Sequence, residues 1–232
     1  MKPYYDDGNG TVIYHGDCRD ILPSLPKVDL VVTSPPYNLG NTHHTNTHRH
    51  NPYNDNMPEH DYQDWQIEIL GLCYEINNGD VFYNHQHRIK NGILIKPDEW
   101  IAPTAWHIKQ EIIWNRGSPN MDKCRFFPFT ERIYWLTKGN TVTKFQNVLN
   151  LTDDWHISPT GTRGEHTRAF PLEIPIRILS CVNSQLILDP FCGSGTTLRA
   201  AKDLGRKAIG IEKEEKYCEI AVQRLRQEVL AL

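Results

Sequence analysis

Leu186-Ile187-Leu188-Asp189-Pro190-Phe191-Cys192-Gly193-Ser194-Gly195-Thr196-Thr197 is the stretch that constrains this chain most. A short apolar run ends on a carboxylate, passes a glycine turn and enters a helix-forming segment, Thr196 to Leu204. An apolar run this short, without polar alternation, is what a strand buried on both faces looks like. Such strands belong to parallel sheets with helices on both sides, so the stretch points to an α/β fold.

The rest of the chain repeats the pattern. Strands are expected at Thr11–His15, Val28–Thr33, Val81–Asn84, Gln185–Leu188 and Lys207–Ile211. Helices are expected at Asp20–Leu25, Tyr62–Ile76, Leu172–Cys181, Thr196–Leu204 and Glu214–Leu232. In the Tyr62 helix Trp65, Ile69, Leu72 and Ile76 fall at helical spacing. Glu111–Trp114 and Ile133–Leu136 suggest a strand pair near the sheet edge, around a loop at 115–130. Residues 40–60 are rich in Asn, His, Thr and Pro and poor in aliphatics; loops of about twenty residues are usually lids or binding loops. Residues 138–165 are polar and irregular. The length, 232 residues, suits a single domain, 1–232.

Composition excludes several classes. No apolar run approaches the roughly 20 residues of a membrane span. The N-terminus shows no apolar stretch of a leader, so a cytoplasmic location is expected. The six cysteines are scattered singly, which argues against a disulfide framework and a metal cluster; they are expected to be reduced core residues. The net charge of −3 is a mild argument against a nucleic-acid partner. Residues 101–170, however, hold nine Lys/Arg against six Asp/Glu, a local +3 that suffices for phosphate contacts.

Two motifs carry chemistry. In the first, Gly193 and Gly195 let the backbone approach a ligand, and the helix start can meet an anionic group. The next strand ends at Glu212, where an acidic residue commonly holds ribose hydroxyls. With Asp189 before the turn, a nucleoside ligand is favoured over a turn needing glycine for geometry alone. A phosphate loop is disfavoured, because the Gly-Lys-Ser/Thr ending is missing. In the second motif, Thr33-Ser34-Pro35-Pro36-Tyr37-Asn38 follows a strand. Its prolines stiffen the backbone. Ser34 and the Pro35 carbonyl can each accept one N–H of a planar amine, and Tyr37 can stack on an extruded base. By itself, a Pro-Pro pair at a strand end is more often a rigid loop.

Taken together, these residues resemble the amino-methyltransferases of DNA with a Ser-Pro-Pro-Tyr catalytic motif. That motif precedes Asp189-Pro190-Phe191-Cys192-Gly193-Ser194-Gly195, which resembles the permuted β arrangement of the family. The resemblance implies a Rossmann-like, S-adenosylmethionine-dependent methyltransferase fold, a mostly parallel sheet with circularly permuted motif order. Ser34, Pro35, Pro36 and Tyr37 are then catalytic. Asp17, Phe170, Asp189, Phe191, Gly193, Ser194, Gly195, Thr196, Thr197 and Glu212 hold S-adenosylmethionine. Asp17, in Gly16-Asp17, resembles the family's acidic site near the cofactor adenine. Phe170, in Glu165-His166-Thr167-Arg168-Ala169-Phe170-Pro171, walls the methionine pocket, and Trp155, Ile157 and Pro159 fit the pattern upstream. The resemblance spans 11–39 and 152–226, is loose over 60–137 and absent at 40–60.

The partner implied is DNA, with no membrane. Expected DNA contacts are Asn38, Arg116, Lys123, Arg125 and Arg163; residues 40–60 and 115–165 are expected to be DNA-facing loops and small target-recognition elements. So small a footprint suits a short site, loose specificity or a second subunit, as in a homodimer; a restriction-modification role fits the family. Ser34 resembles the cytosine-N4 enzymes more than the adenine-N6 enzymes, which carry Asp there, but some Ser-Pro-Pro-Tyr enzymes look like adenine methylators. Cytosine is favoured and adenine stays open. An RNA methyltransferase is disfavoured by motif order, and an inactive DNA-binding module by the intact Ser34–Tyr37 motif. His43, His44, His48, His50 and His60 suit a DNA-facing loop better than a metal site; His85 and His87 suit polar contacts. Trp100, Trp106, Trp114 and Trp135 are expected in packing.

Overall fold

The computed structural model describes residues 1–40, 55–117, 126–139, 145, 152–159 and 171–227. The strands are β1 (Tyr5–Asp6), β2 (Thr11–His15), β3 (Leu30–Thr33), β4 (Val81–His85), β5 (Arg88–Lys90), β6 (Ile93–Ile95), β7 (His107–Asn115), β8 (Thr130–Thr137), β9 (Asp154–His156), β10 (Leu186–Asp189) and β11 (Lys207–Glu212). The helices are α1 (Cys18–Ile21), α2 (Glu59–Ile76), α3 (Asp98–Ile101), α4 (Glu173–Cys181), α5 (Thr196–Asp203) and α6 (Glu215–Arg226). One sheet has the order β1-β2-β11-β10-β3-β4-β8-β7-β9, and β5 and β6 form a separate hairpin. From β2 to β4 every pairing is parallel; β8 runs against β4 and β7, and β7 pairs with β9 in parallel.

Period-two alternation sends successive side chains to opposite faces. Leu30, Val32, Phe82, Ile187 and Ala208 face a core built with α4, α5 and α6. Val31, Val81, Tyr83, Leu188 and Ile209 face a second core built with α1, α2 and α3. Both faces are covered, which is why the central strands are apolar throughout. Trp100, Trp106, Trp114 and Trp135 are all buried, as expected from the sequence. Five cysteines, Cys18, Cys73, Cys181, Cys192 and Cys218, are free and buried in these cores; Cys124 lies outside the described residues.

The expected elements are present with shifted ends. α2 begins at Glu59, three residues before Tyr62, with Glu59 and Asp61 in its first turn where the helix dipole favours acids. Its buried stripe is Tyr62, Gln66, Ile69, Leu70, Cys73 and Ile76; Trp65 and Leu72 flank it only half-buried. The expected helix at Asp20–Leu25 is instead α1 followed by a 3₁₀ turn at Leu22–Ser24, because Pro23 removes a backbone donor. Among the described residues no helix is long and apolar enough to cross a membrane.

The chain moves outward in one direction from β3 to β4 and in the other from β10 to β11. β10 and β3 are neighbours, so the point where the order reverses lies between them. Open α/β sheets bind ligands at the strand carboxyl ends beside such a point.

Close packing holds this region in place. A Cβ on Gly210, in β11, would lie 2.7 Å from Leu198 Cδ2 and 2.8 Å from Cys192 Sγ. Gly210→Ala is therefore expected to lower stability by about 1–3 kcal/mol, the usual cost of overpacking a filled core. Equilibrium urea unfolding checks this: an unchanged midpoint would mean that the contact relaxes freely.

Candidate active site

The acidic and hydroxyl side chains singled out in the sequence meet along the carboxyl edge of the sheet. Asp17 follows β2, Glu212 ends β11, Asp189 ends β10 and Ser34 follows β3. Thr33 Oγ1 donates to Asp189 Oδ1 at 2.7 Å across 156 residues of sequence, joining the two motifs at the reversal point. Phe191 N–H donates to the same oxygen at 3.1 Å. Burial pushes the Asp189 carboxyl up to about 6, against the opposing pull of Thr197, Thr33 and the Phe191 amide.

The glycine turn after β10 is tight. Gly193 has φ 49° and Gly195 φ 79°, left-handed values that glycine adopts without steric cost. Glu212 Oε2 accepts the Gly193 N–H at 3.0 Å and Oε1 accepts the Glu214 N–H at 2.8 Å, so this buried carboxylate braces the turn. Ser194 is buried, and its hydroxyl has no partner among the described residues. Phe191 meets Trp65 of α2 edge-on at 5.4 Å. Thr196 and Thr197 turn their hydroxyls into the protein: Thr196 Oγ1 accepts from Arg224 at 2.7 Å, and Thr197 Oγ1 donates to the Val32 carbonyl at 3.4 Å. As ligand contacts they are left with their backbones. Asp17 caps α1 and is clasped by Arg19 through Nε at 3.0 Å and Nη2 at 2.9 Å. Those hydrogen bonds hold its carboxyl down at about 2.

A second polar group lies beside this one. Ser34 Oγ is 2.9 Å from the Tyr37 hydroxyl. Tyr37 donates to Glu131 Oε2 at 3.0 Å. Asn84 Nδ2 donates to Ser34 Oγ at 3.2 Å and Glu131 Oε2 at 3.3 Å, and also contacts the Tyr37 hydroxyl. Arg116 Nη1 lies 3.4 Å from Glu131 Oε1. The group therefore crosses four neighbouring strands: Ser34 after β3, Asn84 in β4, Glu131 in β8 and Arg116 after β7. Burial raises the Glu131 carboxyl, while Arg116, Tyr37 and Asn84 pull it back. Desolvation, then the Glu131 charge, push the Tyr37 phenol well up.

Behind it, the Tyr62 hydroxyl contacts the Pro36 carbonyl at 2.8 Å and His85 Nε2 at 2.7 Å, and accepts from Gln66 at 2.9 Å. His85 Nδ1 must donate to the Gln86 carbonyl at 2.7 Å, which fixes the tautomer. Burial pushes the imidazole down to about 3, so it is neutral. Its ring sits 4.6 Å from that of Tyr37. His87 Nε2 meets the Tyr134 hydroxyl at 3.1 Å, so both histidines make the expected polar contacts.

The expected DNA contacts fare differently. Asn38 is buried with φ 55°; its amide donates to the Met57 carbonyl at 3.0 Å and accepts the Met57 N–H at 2.7 Å. Its side chain is spent inside the loop, so the expected contact with DNA is corrected to loop bracing. Arg116 is largely covered and committed to Glu131. Lys123, Arg125 and Arg163 lie outside the described residues, as do Phe170, His43, His44, His48 and His50. Asn84 and Glu131 were missed from the sequence.

Residues 28–223 match the DNA methylase family. Type II methyltransferase M.ScaI of Streptomyces caespitosus is 28% identical over all of this chain and 86% of its own length. Type II methyltransferase M2.DpnII of Streptococcus pneumoniae is 29% identical over 98% of this chain and 93% of its own. Among solved structures, the cytosine-N4-specific PvuII DNA methyltransferase superposes with a TM-score of 0.76 at 20% identity, over 96% of this chain and 88% of its own. The M1.HpyAVI–SAM complex gives 0.66 at 24% identity, over 93% and 98%. These likenesses establish a methyltransferase fold, mixed α/β with a mostly parallel sheet.

Proposed function

We propose that this chain, which belongs to the DNA methylase family, transfers a methyl group from S-adenosylmethionine to the exocyclic amine of a base turned out of DNA, with cytosine N4 as the target. The observation that carries the reading is the 2.7 Å bond from Thr33 to Asp189. It holds an amine-binding motif against a cofactor-binding motif, the juxtaposition that direct transfer needs.

The residues present fit the cofactor. The turn at Gly193–Gly195 admits a ligand close to backbone, and the buried Ser194 hydroxyl, without a partner among the described residues, offers a polar contact. When bound, S-adenosylmethionine supplies an electrophilic methyl carbon on a sulfonium sulfur. Asp189 carries the negative charge that suits the cationic amino-acid end. Glu212 and Asp17 suit the nucleoside end, and Phe191 walls the mouth with Trp65. Phe170, which lies outside the described residues, is assigned to the methionine pocket on the family resemblance alone.

On the other side, Ser34 Oγ and the Pro35 carbonyl each accept one N–H of the base amine. That arrangement aims the nitrogen lone pair at the methyl donor and draws the nitrogen toward pyramidal geometry. The stiff Pro35-Pro36 backbone keeps both acceptors in register, and Tyr37 offers a ring beside the base. Lys123, Arg125 and Arg163 supply DNA contacts from the segments within 115–165. Ser34 in place of an acidic residue is the reason for choosing cytosine over adenine.

The test is methyl incorporation from labelled S-adenosylmethionine into unmethylated duplex DNA, followed by nucleoside mass analysis. N4-methylcytosine is the expected product. N6-methyladenine would overturn the choice of base, and label in RNA but not in duplex DNA would overturn the substrate.

A further inference from the structure

Ser34 has one hydroxyl proton and must not point it at the target amine. A planar amine presents N–H groups, so Ser34 is useful only as an acceptor there. What settles the direction of that proton lies on other strands.

Glu131, when ionised, is acceptor-only, so the Tyr37 proton goes to Glu131 Oε2 at 3.0 Å. The Tyr37 oxygen can then only accept at its contact with Ser34, 2.9 Å away, and the Ser34 proton must point to it. Asn84 Nδ2 donates to Ser34 Oγ at 3.2 Å and to Glu131 Oε2 at 3.3 Å, which strengthens the same polarity. The opposite amide orientation would set Asn84 Oδ1 against the carboxylate, which is why the Nδ2 side faces Glu131. Ser34 is left with a lone pair open to the site.

We propose that Glu131 is a positioning residue for methyl transfer, polarising the Glu131–Tyr37–Ser34 chain so that Ser34 meets the target amine purely as an acceptor. The inference rests on the reading of Ser34 as the amine acceptor. Glu131 touches neither base nor cofactor; it acts through Tyr37. When Glu131 takes up a proton, it becomes a donor, both hydroxyls can reverse, and the Ser34 proton opposes the amine. Among the described residues, Arg116 after β7 faces the carboxylate and favours its ionised form, Tyr37 faces it from the β3 loop, and the neutral His85 of β4 lies tilted against the Tyr37 ring. Because burial raises the Glu131 carboxyl, the loss on acidification falls above the ordinary carboxylate range.

The experiment compares wild type, Glu131→Gln, Tyr37→Phe and the double variant in the labelled DNA assay at saturating cofactor, over a range of pH, with thermal melting as the control for folding. Each single variant is expected to lose about tenfold in kcat, the weight of one misdirected hydrogen bond, with the KM for cofactor unchanged. The acid limb of the wild-type kcat profile disappears in Glu131→Gln. The double variant loses no more than either single one, because one broken link already frees Ser34. Tyr37→Phe leaves the Glu131 charge and the packing in place, so it tests the chain even where Glu131→Gln folds poorly. A Glu131→Gln enzyme with wild-type kcat and an intact acid limb, or losses that simply multiply, would overturn the positioning role while leaving Ser34 as acceptor. A wild-type chain that melts cooperatively but transfers no methyl group overturns both readings together.

Discussion

Asp189→Asn is expected to raise the melting temperature at pH 7 and to weaken S-adenosylmethionine binding about 100-fold. The two effects share one cause. Asp189 is 2% exposed, and burial lifts its carboxyl up to about 6, roughly two units above an ordinary aspartate. A group with a raised folded-state pKa favours the folded chain below its unfolded pKa, and that contribution is lost as pH rises through about 6. Keeping Asp189 ionised at pH 7 therefore costs up to about 3 kcal/mol. Asparagine mimics the protonated form. Both Thr33 Oγ1 and Phe191 N–H bond to Oδ1, so the amide oxygen can take over both. For a chain of this size the relief amounts to a rise of several degrees, on the order of 2–4 °C per kcal/mol. The gain should shrink to nothing near pH 4, where the wild-type carboxyl is itself protonated.

Binding runs the other way. The cofactor is cationic at its amino group and at sulfur, and an asparagine offers no charge against it. Wild-type affinity should likewise fall as pH drops below about 6. Melting curves from pH 4 to 8, paired with titration calorimetry of the cofactor, measure both effects. A variant that melts lower and binds as before would make Asp189 a structural acceptor only.

Legibility in the sequence followed burial. β3, β10 and β11 are covered on both faces, so their apolar runs stand out. β9 is three residues long at the sheet edge, and only Trp155 of Asp154-Trp155-His156 turns inward, so no periodic signal exists. The β5–β6 hairpin did carry a signal. Asn91-Gly92, with φ 53° and 76°, is the dipeptide that a two-residue I′ turn prefers. It is masked by flanks in which Ile89, Ile93 and Leu94 are exposed, against the usual alternation.

The site divides along the same line. Asp189, Glu212 and Ser34 are readable because each ends an apolar strand beside a glycine or proline signal. Glu131 is a lone carboxylate at the start of β8, 94 residues from Tyr37, and Asn84 sits inside β4. Only the sheet order β3-β4-β8-β7 brings them to Ser34, and that order is not written in any local pattern.

Gly195→Ala is expected to be the most damaging single methyl group that can be added near the cofactor turn. Two penalties meet there. The residue has φ 79°, where a Cβ costs about 1–2 kcal/mol. The same Cβ would lie 2.9 Å from Ala221 Cβ and 3.3 Å from Ala221 Cα, on the buried face of α6. That contact is too close to keep, and overpacking costs about 1–3 kcal/mol more. Relief requires α5 and the turn before it to move away from α6. The turn carries the Gly193 amide held by Glu212, so cofactor binding should be lost with it. Melting should fall by roughly 5–15 °C. Ala221→Gly in the same chain separates the two causes. It removes the 2.9 Å clash with Cβ, leaving a 3.3 Å approach to Cα that a small shift accommodates, without touching φ, at a helix-interior cost of about 1 kcal/mol. Cofactor affinity should return in the double variant while the melting temperature stays low, since the backbone strain remains. If affinity stays lost once the space is open, the left-handed turn rather than the α6 contact shapes the site; if Gly195→Ala alone binds and melts like wild type, the turn does not hold the cofactor.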